Sequence, residues 1–194
     1  MAYDYNDATA PSFELIPANS ITTLSITVRS GGVGEDNMLK RSKDGKCEML
    51  DLEYVVVDGD HRGRKFWQYL VLNGTEPGHE QAAKISRGVL RTIIESARGI
   101  KPDDMSPEAR AGRVINNLGE FNGLLFIGRV GIEKGGQKPD GTFWPDKNTL
   151  VAAITPDKKE WKPLEQAPPF NGGGTSKTPA MPAAAPITRP EWAQ

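Results

Sequence analysis

The stretch His61-Arg62-Gly63-Arg64-Lys65-Phe66-Trp67-Gln68-Tyr69 leads three cations into a segment rich in aromatic rings. In an extended strand, neighbouring side chains point to opposite faces. Phe66 therefore cannot share a face with Trp67 and Tyr69. A half-buried strand needs only one apolar face, so one set of rings is surplus. Rings left in solvent make stacking platforms for unpaired bases, worth ~1–3 kcal/mol per base, while Lys and Arg follow the phosphates. The plainer alternative is that each ring is core, where most large aromatics lie. Parity still leaves at least one ring outside.

Other residue types raise other chemistry. A nuclease needs clustered carboxylates to hold Mg²⁺. Asp51 and Glu53 fall on one face of a strand, and Asp58 and Asp60 follow in a turn. An outward strand face and an Asp-rich turn explain both patterns without a metal. Cys47 with His61 or His79 would make a nucleophile and base, but no local signature surrounds the cysteine. No G-x-x-x-x-G-K-S/T phosphate loop is present, which argues against ATP hydrolysis. A chain without catalysis, cofactor or metal is the expectation.

The elements that must position these residues are legible by alternation. Strands are predicted over 21–29, 47–57, 64–72, 124–133 and 148–154. In the second, Leu50, Leu52, Tyr54 and Val56 point in and Asp51 and Glu53 point out. In the third, Phe66, Gln68, Leu70 and Leu72 oppose Trp67, Tyr69 and Val71. A helix is predicted over 80–98 from Ala82, Ile85, Val89, Ile93 and Ala97, with Gly99 as its stop. Ser106-Pro107-Glu108 reads as a cap and first turn of a second helix, running to about residue 116.

Three strands, a helix and two more strands is the order of the five-stranded oligonucleotide/oligosaccharide-binding (OB) barrel. That fold binds across its second and third strands, between the loops joining strands 1–2 and 4–5. Those two loops are the longest and most Gly-rich here. The first carries Lys40, Arg41 and Lys43; the second carries Lys134 and Lys147 around Phe143 and Trp144. The prediction is a mainly β, OB-fold-like nucleic-acid-binding domain over 12–165. Trp67, Tyr69 and Trp144 would stack bases. Arg62, Arg64, Lys65, Arg129, Lys134 and Lys147 would meet phosphates, with Lys40, Arg41 and Lys43 clamping. Asp51 and Glu53 oppose this reading unless they point away from the groove.

Composition sets the frame. The chain has 194 residues, with 24 Lys+Arg against 25 Asp+Glu. The field for a polyanion must therefore come from local clustering. One cysteine and two histidines exclude an internal disulfide framework and a multi-Cys zinc site. No apolar run approaches a membrane span, and the first residues are too polar for a signal peptide, so a cytoplasmic protein is expected. Residues 1–11 read as a flexible end. Residues 166–194 hold six of the fifteen prolines plus a Gly and an Ala triplet, the composition of a disordered tail.

The runs Phe13-Glu14-Leu15-Ile16-Pro17-Ala18, Leu50-Asp51-Leu52-Glu53-Tyr54-Val55-Val56, Gly63-Arg64-Lys65-Phe66-Trp67 and Ser96-Ala97-Arg98-Gly99-Ile100 resemble a phage and prophage family of unknown-function domains. Its members are similar to phage single-stranded DNA-binding proteins and tend to sit in replication and recombination modules. The resemblance covers most of 12–155. It implies a barrel of the kind described, a role coating single-stranded DNA intermediates, and a bacterial host cytoplasm. It carries Arg64, Lys65 and Trp67 over as family positions without assigned chemistry. Many single-stranded DNA-binding proteins end in a strongly acidic tip that recruits partners. Thr188-Arg189-Pro190-Glu191-Trp192-Ala193-Gln194 has a single acid, so the tail is a solubilising segment or uses Trp192 as an apolar hook. A second reading makes the chain a protein–protein adaptor of the replication or recombination machinery.

Overall fold

β-Branched and aromatic residues alternating with polar ones favour pleated, half-buried strands, and the long strands form where that pattern occurs. The computed structural model describes residues 14–165. Strand β1 is Ser20–Arg29, β2 Leu39–Arg41, β3 Cys47–Val56 and β4 Lys65–Gly74. Helices α1 (His79–Arg98) and α2 (Pro107–Gly112) follow, then a 3₁₀ turn at Leu118–Phe121, β5 (Leu125–Glu133) and β6 (Lys147–Ala153). The expectations for the N-terminal end and the 166–194 tail, Trp192 included, fall outside the described residues. Among the described residues no helix is long and apolar enough to cross a membrane.

The sheet is antiparallel and has six strands, not the five expected. The extra one, β2, lies inside the predicted first loop. There the chain folds back on itself: Val33 and Leu39 exchange backbone hydrogen bonds at 3.0 Å each, around Asn37 in a left-handed conformation (φ 56°). A side chain at Gly31 would stand 2.3 Å from the Leu39 carbonyl oxygen, so only glycine admits this approach.

Strand β3 pairs along one edge with β4, and along the other with β2 and then β1. The first half of β1 pairs with β5, and β5 with β6. No ladder joins β6 to β4 among the described residues. The two strands still touch, and the Leu150 N–H donates to Gln68 Oε1 at 3.3 Å. At the far side of β6, Asn148 clasps the incoming chain. Its Oδ1 accepts the Ile16 N–H at 2.9 Å and its Nδ2 donates to the Ile16 carbonyl at 2.8 Å.

The core lies inside the curved sheet and under α1. Leu24, Ile26 and Val28 meet Leu50, Leu52, Tyr54 and Val56, as alternation predicts, and Phe66, Leu70, Phe126 and Leu150 complete it. Gly128 lets β5 close on Leu24, whose Cδ1 lies 2.4 Å from where a Cβ would stand.

Helix α1 matches its predicted length and buries Ile93 and Ala97 of the predicted stripe, but its first half turns a different set inward. Ala83, Ser86, Leu90, Ile93, Ile94 and Ala97 face the sheet, and Ile85 is 58% exposed. Gly99 ends the helix in a left-handed conformation, donating its N–H to the Glu95 carbonyl. Helix α2 stops at Gly112 rather than near residue 116. The next residue, Arg113, turns its guanidinium inward to Glu95 at 2.7 Å and to the Lys101 and Asp104 carbonyls at 2.8 Å each.

Candidate nucleic-acid interface

The β3–β4 register settles which rings are core. Phe66 lies inside at 3% exposure, stacked at 5.0 Å on Tyr54. Trp67 and Tyr69 lie on the outer face, 47% and 53% exposed. Two residues along a strand are about 6.8 Å apart, so the rings form two separate exposed apolar surfaces on this face.

The carboxylates do not point away. Glu53 pairs across the ladder with Trp67, and Asp51 with Tyr69. On the other side of β3 the same two residues pair with Thr27 and Arg29 of β1. Two cross-strand rows therefore run over one face: Thr27, Glu53, Trp67 and Arg29, Asp51, Tyr69. Antiparallel parity forces this, because opposed residues share a face.

Each carboxylate is neutralised where it stands. Glu53 accepts Lys65 Nζ at 2.7 Å and the Trp67 indole N–H at 3.0 Å. The Lys65 hydrogen bond, with help from Trp67 and the Arg29 charge, holds the Glu53 carboxyl below its usual range despite partial burial. Asp51 is only 4% exposed. It accepts Lys40 Nζ at 3.1 Å and faces Arg29 Nη1 at 3.7 Å. Lys40 also donates to the Tyr69 hydroxyl at 3.0 Å, and its ammonium stands 4.9 Å from the ring centroid. The hydrogen bonds to Tyr69 and Asp51 raise the Lys40 pKa.

The structure thus brings together Trp67, Tyr69, Lys65 and Lys40. Arg62 and Arg64 lie in the β3–β4 turn that opens into Lys65. Arg41 is paired with Glu48 at 2.8 Å, and Lys43 is exposed in the β2–β3 turn. Arg129 lies apart from the β3–β4 rows. It sits within β5 opposite Ile21 and Ala152, half-buried, with its Nε enclosed and without a hydrogen-bond partner among the described residues. The residue sequence reasoning passed over is Arg29. Its place on the Thr27 face was readable from alternation, but its carboxylate partner was not.

The β5–β6 hairpin forms a second cluster. Phe143 and Trp144 are exposed at its tip. Lys138 Nζ stands 4.7 Å above the Trp144 ring, Lys134 pairs with Asp146 at 2.6 Å and Lys147 with Glu133 at 3.2 Å. The Lys134 and Gly135 hydrogen bonds hold the Asp146 carboxyl below its usual range.

Among the residues considered for catalysis, Asp58 and His79 have structural partners. Asp58 accepts from Thr22 Oγ1, Thr23 Oγ1 and the Thr23 N–H at 2.7–3.0 Å, which fixes the β3–β4 turn to β1. Burial pushes its pKa up, but these hydrogen bonds and Lys162 outweigh it and bring the value to about 2. Cys47 pairs with Gly74, and the His79 ring fills the space a Gly74 side chain would take. His79 Nδ1 accepts the Glu76 N–H at 3.1 Å. Comparison with family models, curated proteins and solved structures gives no match.

Proposed function

We propose that this chain is a non-catalytic single-stranded DNA-binding protein that works without a cofactor in phage replication or recombination, in the host cytoplasm. The observation that carries this reading is the outward pair Trp67 and Tyr69, flanked by Lys65 and Lys40. Exposed rings on a sheet face with cations beside them suit sequence-tolerant stacking and phosphate contact. The spatial order β4-β3-β1-β5-β6, with α1 between β4 and β5, supports an OB-type barrel in which β2 is an accessory strand. In such a barrel the β3–β4 surface is the binding face. The β5–β6 hairpin, with Trp144 and its lysines, supplies one flank, and the β1–β3 connection supplies the other.

The test is a titration of labelled oligo-dT at low and moderate salt, followed by anisotropy and Trp fluorescence, with duplex as control. Binding that quenches Trp, prefers oligo-dT and weakens with salt supports the reading. Each phosphate contact contributes a slope of about 0.7 for single strands. No binding at low salt overturns it.

A further inference from the structure

Away from the β3–β4 face, a groove of about 690 Å³ opens between α1 and the segment leading to β5. Its size is that of a ligand or peptide-anchor site. Its apolar lining comes from Leu72, Leu90, Ile94, Ile115, Leu118 and Phe121. Arg87, Arg91 and Arg113 bring positive charge to the same space.

The arginines are not equivalent. Arg91 and Arg113 both direct Nε to Glu95 Oε1, at 2.8 and 2.7 Å, and Glu95 is buried on α1. Arg87 is exposed, with no carboxylate partner among the described residues. The one acid in the lining, Asp36, is occupied by the Met38 and Leu118 backbone N–H groups at 3.2 and 3.0 Å. The groove therefore joins an aliphatic floor to an uncompensated guanidinium.

We propose that this groove docks an acidic amphipathic helix of a partner protein, with apolar side chains on the floor and a carboxylate against Arg87. Charge complementarity selects this occupant. Nucleic acid is disfavoured because the only ring in the lining, Phe121, is 2% exposed and offers no face for a base. A second copy of the described residues is disfavoured because the solvent side of α1 carries Lys84, Arg87, Arg91 and Arg98 against Glu80, the wrong sign for this rim. The inference stands independently of DNA binding.

The test uses the full chain and a labelled helical peptide of about four turns, with Leu at three- and four-residue spacing and Glu and Ala elsewhere. Its Gln-for-Glu analogue and oligo-dT serve as separate arms. Expected are saturable binding, amide shifts at Leu90, Ile94, Ile115 and Leu118, and at least about tenfold weakening by Arg87→Glu, that is about 1.4 kcal/mol. Arg87 is exposed, so this variant keeps the fold. No binding up to about 1 mM, equal binding of the Gln analogue, or indifference to Arg87→Glu overturns the proposal. Oligo-dT displacing the peptide from the groove also overturns it. Loss of oligo-dT binding with retained peptide binding removes only the DNA reading.

Discussion

The Trp67 indole donates to Glu53 Oε2 at 3.0 Å across the β3–β4 ladder, and Lys65 meets the other oxygen of the same carboxylate at 2.7 Å. One carboxylate thus holds both an exposed indole and a lysine, the pair to which the proposed function gives base stacking and phosphate contact. It positions the pair and, in doing so, competes with any polyanion for Lys65.

Replacing Glu53 with Gln removes that competition. Glu53→Gln should bind oligo-dT several-fold more tightly at low salt, with a salt slope steeper by about 0.7 as Lys65 becomes available. Anisotropy across a salt series reads both quantities. Weaker binding would mean that holding the indole matters more than freeing the lysine.

Trp67 and Tyr69 are exposed, so their loss should leave the fold intact. Trp67→Ala and Tyr69→Ala should each weaken oligo-dT binding by ~1–3 kcal/mol, with thermal melting little changed. Unchanged affinity in both variants would remove the β3–β4 face as the binding surface.

Asp58 links acid sensitivity to one turn. Its folded pKa of about 2 lies below the ordinary 3.8, so its contribution is full above the unfolded pKa. It fades as pH falls from about 4 through the folded value. Asp58→Ala should cost about 1–2 kcal/mol at neutral pH, and the gap to the parent should narrow in urea melts taken toward pH 2. A gap constant with pH would show that the carboxylate charge is not what binds Thr22 and Thr23.

Tyr54 buries its hydroxyl in the core with no hydrogen-bond partner among the described residues, and burial pushes its pKa up. Tyr54→Phe keeps the ring contacts with Phe66 and Phe126 and removes the unsatisfied group. Chemical denaturation should show a gain of about 1 kcal/mol. A loss would reveal a bound water or partner at that hydroxyl.

Much of this arrangement was readable from local pattern. Period-two alternation placed Leu24, Ile26, Val28 and the Leu50–Val56 set in the core, and grouped Trp67 with Tyr69. It could not say which group was solvent-exposed, because both faces of β4 carry rings. The register of β3 against β1 and β4 decided that, and register is non-local. The same register put Asp51 and Glu53 beside the rings instead of away from them. The first half of the α1 stripe was misread, while Ile93 and Ala97 were placed correctly, because two overlapping apolar series exist. The one through Ile85 is bulkier, whereas close approach to the sheet uses Ala83 and Ser86. Strand β2 escaped notice because its three residues, Leu39–Arg41, carry two cations and no alternation.

That short strand changes how Lys40 contributes. A lysine in a free loop must surrender both backbone and side-chain freedom when it meets a ligand. Lys40 has already surrendered its backbone freedom to the Met49 pairing, and its ammonium is held between Asp51 and Tyr69. Lys43, in the turn beyond β2, has no such anchorage. Under the proposed function, two cations three residues apart would divide into a pre-organised contact that sets geometry and an adaptable one that adds attraction at a larger entropic penalty.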